Sequence, residues 1–161
     1  MAFESITDIK IKELLACRKQ ITNPDAKGIT KDGNLQVNYK AESSDDSGYK
    51  FEIYKRQNLR EGMEDDFSCG ISWFAPNGEK LTLKRYNGSS HTHLNHIEGE
   101  RLGYKSHIHL ARENYIRAGK KPDGYAEMTD RYKNIDGALD CLVSDCNITG
   151  LKVDRGLFDN Q

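Results

Sequence analysis

The chain predicts an α+β domain: a single antiparallel sheet of about five strands, with an N-terminal helix and C-terminal helices packed on one face. Three observations carry this expectation. Apolar residues recur at helical spacing over 4–21, four later segments alternate at period two, and helical spacing returns beyond residue 125.

Taken in order, Ile6, Ile9, Leu14, Cys17 and Ile21 share one helical stripe that Ile11 and Leu15 widen, and Asn23-Pro24 stops it. An opening helix over 4–21 follows. Leu35, Val37 and Tyr39 alternate with polar residues, as do Tyr49, Phe51 and Ile53 after the polar turn 43–48. Segment 67–74 is the most apolar, and Pro76-Asn77-Gly78 turns it into Leu81 to Tyr86. These four strands form a meander over 34–86. Residues 87–110 hold a loop, an exposed excursion over 97–105 and a fifth strand at His107-Ile108-His109-Leu110. The part from 113 to 148 is expected to be helical, with pieces over 126–133 and 136–146, and a polar tail occupies 149–161.

The 161 residues are read as one domain, 1–161, with a core that closes without staples. No apolar run reaches the ~20 residues of a membrane helix and no signal-peptide h-region opens the chain, so a cytoplasmic protein without membrane contact is expected. Cys17, Cys69, Cys141 and Cys146 form no CxxC pair and read as thiols in a reducing compartment. The net charge is −1, yet 42–66 carries eight acids against four bases and 80–121 carries nine bases against three acids. A basic stretch of that kind suits RNA, with Lys84, Arg85, Arg101, Lys105, Arg112, Lys120 and Lys121 as its candidate contacts.

All five histidines lie between 91 and 109, inside the basic half: His91, His93, His96, His107 and His109. Chance would crowd them so with a probability of roughly 10⁻³. Imidazole binds metals and moves protons near neutral pH, so chemistry is expected here. His91-Thr92-His93-Leu94-Asn95-His96 is similar to the H-x-H-x-D-H signature of the metallo-β-lactamase superfamily. Asn95, however, stands where that family has aspartate, and the segment follows a polar loop past the midpoint of the chain, so the match is read as accidental. A looser site remains: the five imidazoles offer three or four nitrogen ligands to zinc, although no metal or other cofactor is the favoured reading.

The favoured chemistry is metal-free cleavage of RNA. One imidazole takes the 2′-hydroxyl proton, a second protonates the leaving oxygen, and a cation stabilises the phosphorane. Catalytic candidates are His107 and His109 as the proton-transfer pair, His91 and His93 assisting, Arg85 on the phosphate, and Tyr86 as a stacking platform or weak acid.

The ordered set Arg85-Tyr86-Asn87-Gly88, His91 to Asn95, His107-Ile108-His109 and Cys146-Asn147-Ile148 resembles an uncharacterised family of small bacterial and phage-borne proteins. In that family an R-x-N-G strand end leads through a histidine loop to an H-I-H strand, and a helix closes near C-N-I. The resemblance spans about 67–148. It implies a shared patch of His91, His107, His109, Arg85 and Asn87, and mobile-element biology, but no particular reaction. Three functions stay open: a small toxin-like ribonuclease; a non-enzymatic interaction protein with a protein partner, such as a host-defence inhibitor or toxin–antitoxin partner; and a zinc-dependent hydrolase.

Overall fold

In the computed structural model, residues 3 and 5–151 are described. The first helix, α1 (Asp8–Ala16), starts where Thr7 accepts the Lys10 N–H at 3.1 Å, and it buries Ile11 and Leu14. It ends five residues before the expected stop at 21. The cause is Lys19, which is fully buried and donates from Nζ to the carbonyls of Leu15, Cys17 and Cys146, each at 2.8 Å. One ammonium thereby satisfies terminal carbonyls of α1 and of α3 (Ile135–Asp145). Lys19–Ile21 then runs as strand β1, so Ile21 reaches the core at period two, not as part of the helical stripe.

The remaining strands are β2 (Ile29–Lys31), β3 (Asn34–Ser43), β4 (Lys50–Asn58), β5 (Phe67–Phe74), β6 (Lys80–Asn87), β7 (His93–Asn95), β8 (Glu100–Leu102), β9 (His107–Leu110), β10 (Tyr125–Met128) and β11 (Ile148–Thr149). A short helix, α2 (Glu113–Arg117), precedes β10. Strand order is β10-β9-β6-β5-β4-β3-β1-β11, with β2 also paired to β3, while β7 and β8 form a separate hairpin. All pairs are antiparallel except β1 with β11, where Lys19 lies opposite Ile148.

The expected five-stranded antiparallel sheet is therefore corrected to a mixed sheet of nine strands in a mostly β architecture. The meander over 34–86 supplies only its centre. The helix expected over 126–133 is β10, because Tyr125 to Met128 complete the edge of β9 in register Tyr125↔Leu110 to Met128↔His107. β1, β2, β10 and β11 are two to four residues long, too short to show a period. The tail beyond Leu151 lies outside the described residues.

Pairing assigns the faces. Cys69, Ile71, Lys84, Tyr86, Ile108 and Leu110 share one face, fixed by Cys69↔Tyr86, Ile71↔Lys84 and Tyr86↔Ile108. α3 covers it through Leu139 and Leu142, and the Lys55–Asp136 pair at 3.3 Å ties the helix to β4. Tyr54, Ser68, Gly70, Arg85, Asn87, His107, His109 and Ala126 share the other face. Seven of the eight β5 residues are buried, so this strand is covered on both sides. Among the described residues, no helix is long and apolar enough to cross a membrane.

Candidate functional site

The second face carries the histidines. His107 and His109 alternate with Ile108 and Leu110 on β9, and both imidazoles are buried while the two apolar residues are half-buried. His93, at the start of β7, leans over them, and His91 stands before it in the loop. Ring centroids lie 5.1 Å apart for His91–His107, 5.8 Å for His93–His107, 4.6 Å for His93–His109 and 5.1 Å for His107–His109. Four of the five imidazoles thus converge. His96 is exposed at the β7–β8 turn and enters none of these ring contacts.

Backbone carbonyls determine the tautomers, because a carbonyl oxygen only accepts. His107 donates from Nδ1 to Lys105 O at 2.9 Å, and His109 donates from Nδ1 to Asp123 O at 2.8 Å. His93 donates from Nε2 to Gly124 O at 2.7 Å and to Asn95 Oδ1 at 3.1 Å. Among the described residues, the nitrogens left bare are His107 Nε2, His109 Nε2 and His93 Nδ1. His107 Nε2 is buried with no hydrogen-bond partner at all.

Burial favours the neutral form of His91, His107 and His109. It pushes His109 down to about 2, helped by the Arg85 charge and then by His107 and His93. Burial also lowers His107 against the opposing bond to Lys105 O, and it lowers His91 against the charge of Asp66. The bare Nε2 atoms of His107 and His109 are therefore lone-pair acceptors near neutral pH.

Arg85 lies directly opposite His109 across β6 and β9. Its Nε donates to Asp123 Oδ2, and the Asp123 side chain is only 3% exposed. Among the described residues its two Nη groups have no hydrogen-bond partner, so they are free for an anion. Gly70 makes room for this arginine: a Cβ there would stand 2.7 Å from Lys84 O and 3.0 Å from Arg85 Cγ. Beside it, Tyr54 Oη, Ser68 Oγ and Asn87 Oδ1 form a hydrogen-bonded row with links of 2.6 and 2.8 Å.

The other candidates are dispersed. Tyr86 is fully buried on the helix face, where its hydroxyl donates to Asp145 Oδ2 at 2.6 Å; it does not reach the histidines. Burial, then the neighbouring Cys146 and Asp145, pushes its hydroxyl far up, which removes it as a weak acid. Lys84 shares that face and lies 3.6 Å from Asp145. Arg101 is exposed on β8, Lys105 pairs with Asp130 at 3.2 Å, and Arg112 stacks 3.5 Å above the Tyr125 ring centroid. Lys120 and Lys121 are exposed in the turn after α2. The basic residues counted along the sequence do not form one face; Arg85 alone belongs to the imidazole cluster.

Sequence reasoning passed over the segment that orients the cluster. Residues 119–124, Gly-Lys-Lys-Pro-Asp-Gly, read from sequence as no more than a basic turn, yet Asp123 O and Gly124 O fix two imidazoles and the Asp123 carboxylate fixes Arg85. Its one signal is an acid, Asp123, two residues after the lysine pair. Asn95 is a structural anchor and not a defective ligand. It is fully buried, accepts the Ala126 N–H at 2.8 Å and donates to Ala126 O at 2.8 Å.

Comparison with models of known families, with curated proteins and with solved structures finds no significant match to this chain. Function therefore has to be argued from the site itself.

Proposed function

We propose that this chain is a ribonuclease that cleaves RNA phosphodiesters at the four-imidazole cluster. The observation that carries the reading is an anion donor set against lone-pair acceptors: the Nη groups of Arg85, free among the described residues, on the sheet face that holds the bare nitrogens of His93, His107 and His109. A phosphodiester with a neighbouring 2′-hydroxyl satisfies both halves. The phosphate oxygens take the guanidinium N–H groups, the 2′-hydroxyl proton passes to the bare nitrogen of His93 or His107 as the 2′-oxygen bonds phosphorus, and the imidazolium so formed returns the proton to the 5′-oxygen as the P–O5′ bond breaks. The substrate approaches from exposed His91 and half-buried His93, since His107 and His109 form the floor.

The roles differ from a plain two-histidine scheme. With its pKa near 2, His109 holds no proton for a leaving group at neutral pH and is too weak a base to take one, so it serves as a hydrogen-bond acceptor or ligand and as neither acid nor base. Arg85 stabilises charge on the phosphorane, and its loss is worth ~10²–10³ in rate.

The test compares purified full-length protein with its Arg85→Ala and His109→Gln variants on a labelled RNA and a DNA of the same sequence. Cuts in RNA alone, ending in 2′,3′-cyclic phosphate or its hydrolysis product and reduced about 100-fold or more by Arg85→Ala, support the reading. Intact RNA, or cleavage that both variants retain in full, overturns it.

A further inference from the structure

The cluster has a property that acid–base chemistry leaves unexplained. Three imidazoles give their N–H groups to backbone carbonyls and, among the described residues, keep a second nitrogen without a partner, that of His107 being buried. Gathered lone pairs repel one another, and a buried acceptor without a donor costs ~1–3 kcal/mol. A phosphate oxygen does not relieve this arrangement, since it too only accepts; a hydrogen-bond donor satisfies one nitrogen at a time, and a cation satisfies several together. Histidines that ligate metals carry the same outer bonds, the second ring N–H held by a carbonyl so that tautomer and ring direction are set in advance.

We infer that His93 Nδ1, His107 Nε2 and His109 Nε2, with His91 as the fourth imidazole, bind one divalent late first-row metal ion of the zinc class. The donor set is all nitrogen, without thiolate or carboxylate, which suits Zn²⁺ or Co²⁺ and disfavours Mg²⁺ and Ca²⁺. At a metal–nitrogen distance of ~2.0–2.1 Å, tetrahedral imidazoles have ring centroids about 5 Å apart. The four observed separations run from 4.6 to 5.8 Å.

Among the described residues, no group of three or more His, Cys, Asp or Glu side chains stands where it could hold a metal ion, so the site forms only when imidazoles rotate toward a common point. Closure falls to His91, whose ring makes one 3.3 Å contact with Ser90 Oγ, and to half-buried His93; the carbonyl bonds keep the other two in place. Asp123 balances Arg85 at the edge of the cluster, so the ion does not face an unpaired guanidinium. His91 is the exposed ligand, the one a water or a phosphate oxygen would replace. This role for the ion rests on the ribonuclease reading; the binding site does not.

Full-length protein is stripped with chelator and titrated calorimetrically with ZnCl₂, and with CoCl₂ while visible absorption is followed. One equivalent of each should bind with Kd on the order of micromolar or tighter, and cobalt should give the intense bands of a tetrahedral site. His109→Gln and His93→Gln, chosen to keep volume, should each weaken binding about 100-fold, since loss of an outer-shell partner alone costs 10–100-fold. His96→Gln should bind like wild type. Wild-type protein that binds neither metal, or variants at 93 and 109 that bind unchanged, overturns the site. Binding without RNA cleavage sustains the site and refutes the reaction, whereas cleavage in chelator by a protein that binds no metal does the reverse.

Discussion

Asn95→Asp restores the aspartate of the H-x-H-x-D-H pattern, and the structure predicts that it damages the fold instead of improving a metal site. The Asn95 amide acts as a one-residue strand against Ala126, accepting its N–H and donating to its C=O, both at 2.8 Å. Its Nδ2 also donates to Glu100 Oε1 at 3.0 Å, and its Oδ1 receives His93 Nε2–H at 3.1 Å. Aspartate keeps the two accepted bonds, loses both donated ones and sets an oxygen against two acceptors. Glu100 is exposed and turns to water, so the loss concentrates on Ala126 O and on a charge at a fully buried position. A buried acceptor left unpaired costs ~1–3 kcal/mol, and burying the charge adds to it, for a total of about 3 kcal/mol at neutral pH. Burial and facing acceptors raise the pKa of the introduced carboxyl above the usual ~3.9. The penalty is therefore full above that raised value and shrinks as pH falls through it, where the protonated group donates to Ala126 O. Urea unfolding followed by the fluorescence of buried Trp73, at pH 8 and pH 5, measures both effects. A loss below about 0.5 kcal/mol at pH 8 would refute the anchoring role. So would tighter zinc binding by the variant, which would show that residue 95 faces an ion.

Two further outcomes follow from named contacts. Burial raises Asp145, but bonds from Arg131 and Tyr86 and the charges of Lys84 and Arg131 outweigh it and hold the carboxyl at about 2. Its contribution is thus full above the unfolded value near 4 and is lost as pH falls toward 2; Asp145→Asn should cost about 2 kcal/mol at pH 7, with the gap closing over that window, and a pH-independent gap in urea titrations would contradict this. Gly70→Ala sets a Cβ 2.7 Å from Lys84 O and 3.0 Å from Arg85 Cγ, so it should destabilise by about 2 kcal/mol and slow RNA cleavage by displacing Arg85; an unchanged melting temperature would show that the strands yield freely there.

The legible parts of this fold are those whose pattern is long. The strands over 34–43, 50–58, 67–74 and 80–87 each run eight to ten residues, enough for alternation and turns to declare them. The placement of His107 and His109 on one face also follows from simple alternation. Short elements are set by partners far along the chain and carry no period: Lys19 to Ile21 is a strand because it lies between β3 and β11. The Asp32-Gly33 turn was a readable signal, since both residues have positive φ, 51° and 78°, and join β2 to β3 as such a pair does in tight hairpins. Counting bases along 80–121 misled for a related reason. Strand alternation sends Lys84 and Arg85 to opposite faces, and only pairing shows which face holds the histidines.

The alternation on β9 also departs from the usual sheet logic, in which apolar residues enter the core and polar ones meet water. Here His107 and His109 are the buried pair, and Ile108 and Leu110 are half-buried. Neutral imidazoles tolerate such burial only when each ring nitrogen has a partner. The fold supplies one partner per ring from the main chain of 105, 123 and 124, and the Arg85–Asp123 pair fixes the last two positions. It leaves the second nitrogens unanswered, and they belong to three rings from two separate strands. A structural histidine needs no such company, because a single water or hydroxyl donor satisfies its free nitrogen. Three rings with one nitrogen satisfied by backbone and the other bare among the described residues are what a ligand-receiving site requires, and this asymmetry argues for chemistry at the cluster more strongly than the number of histidines does.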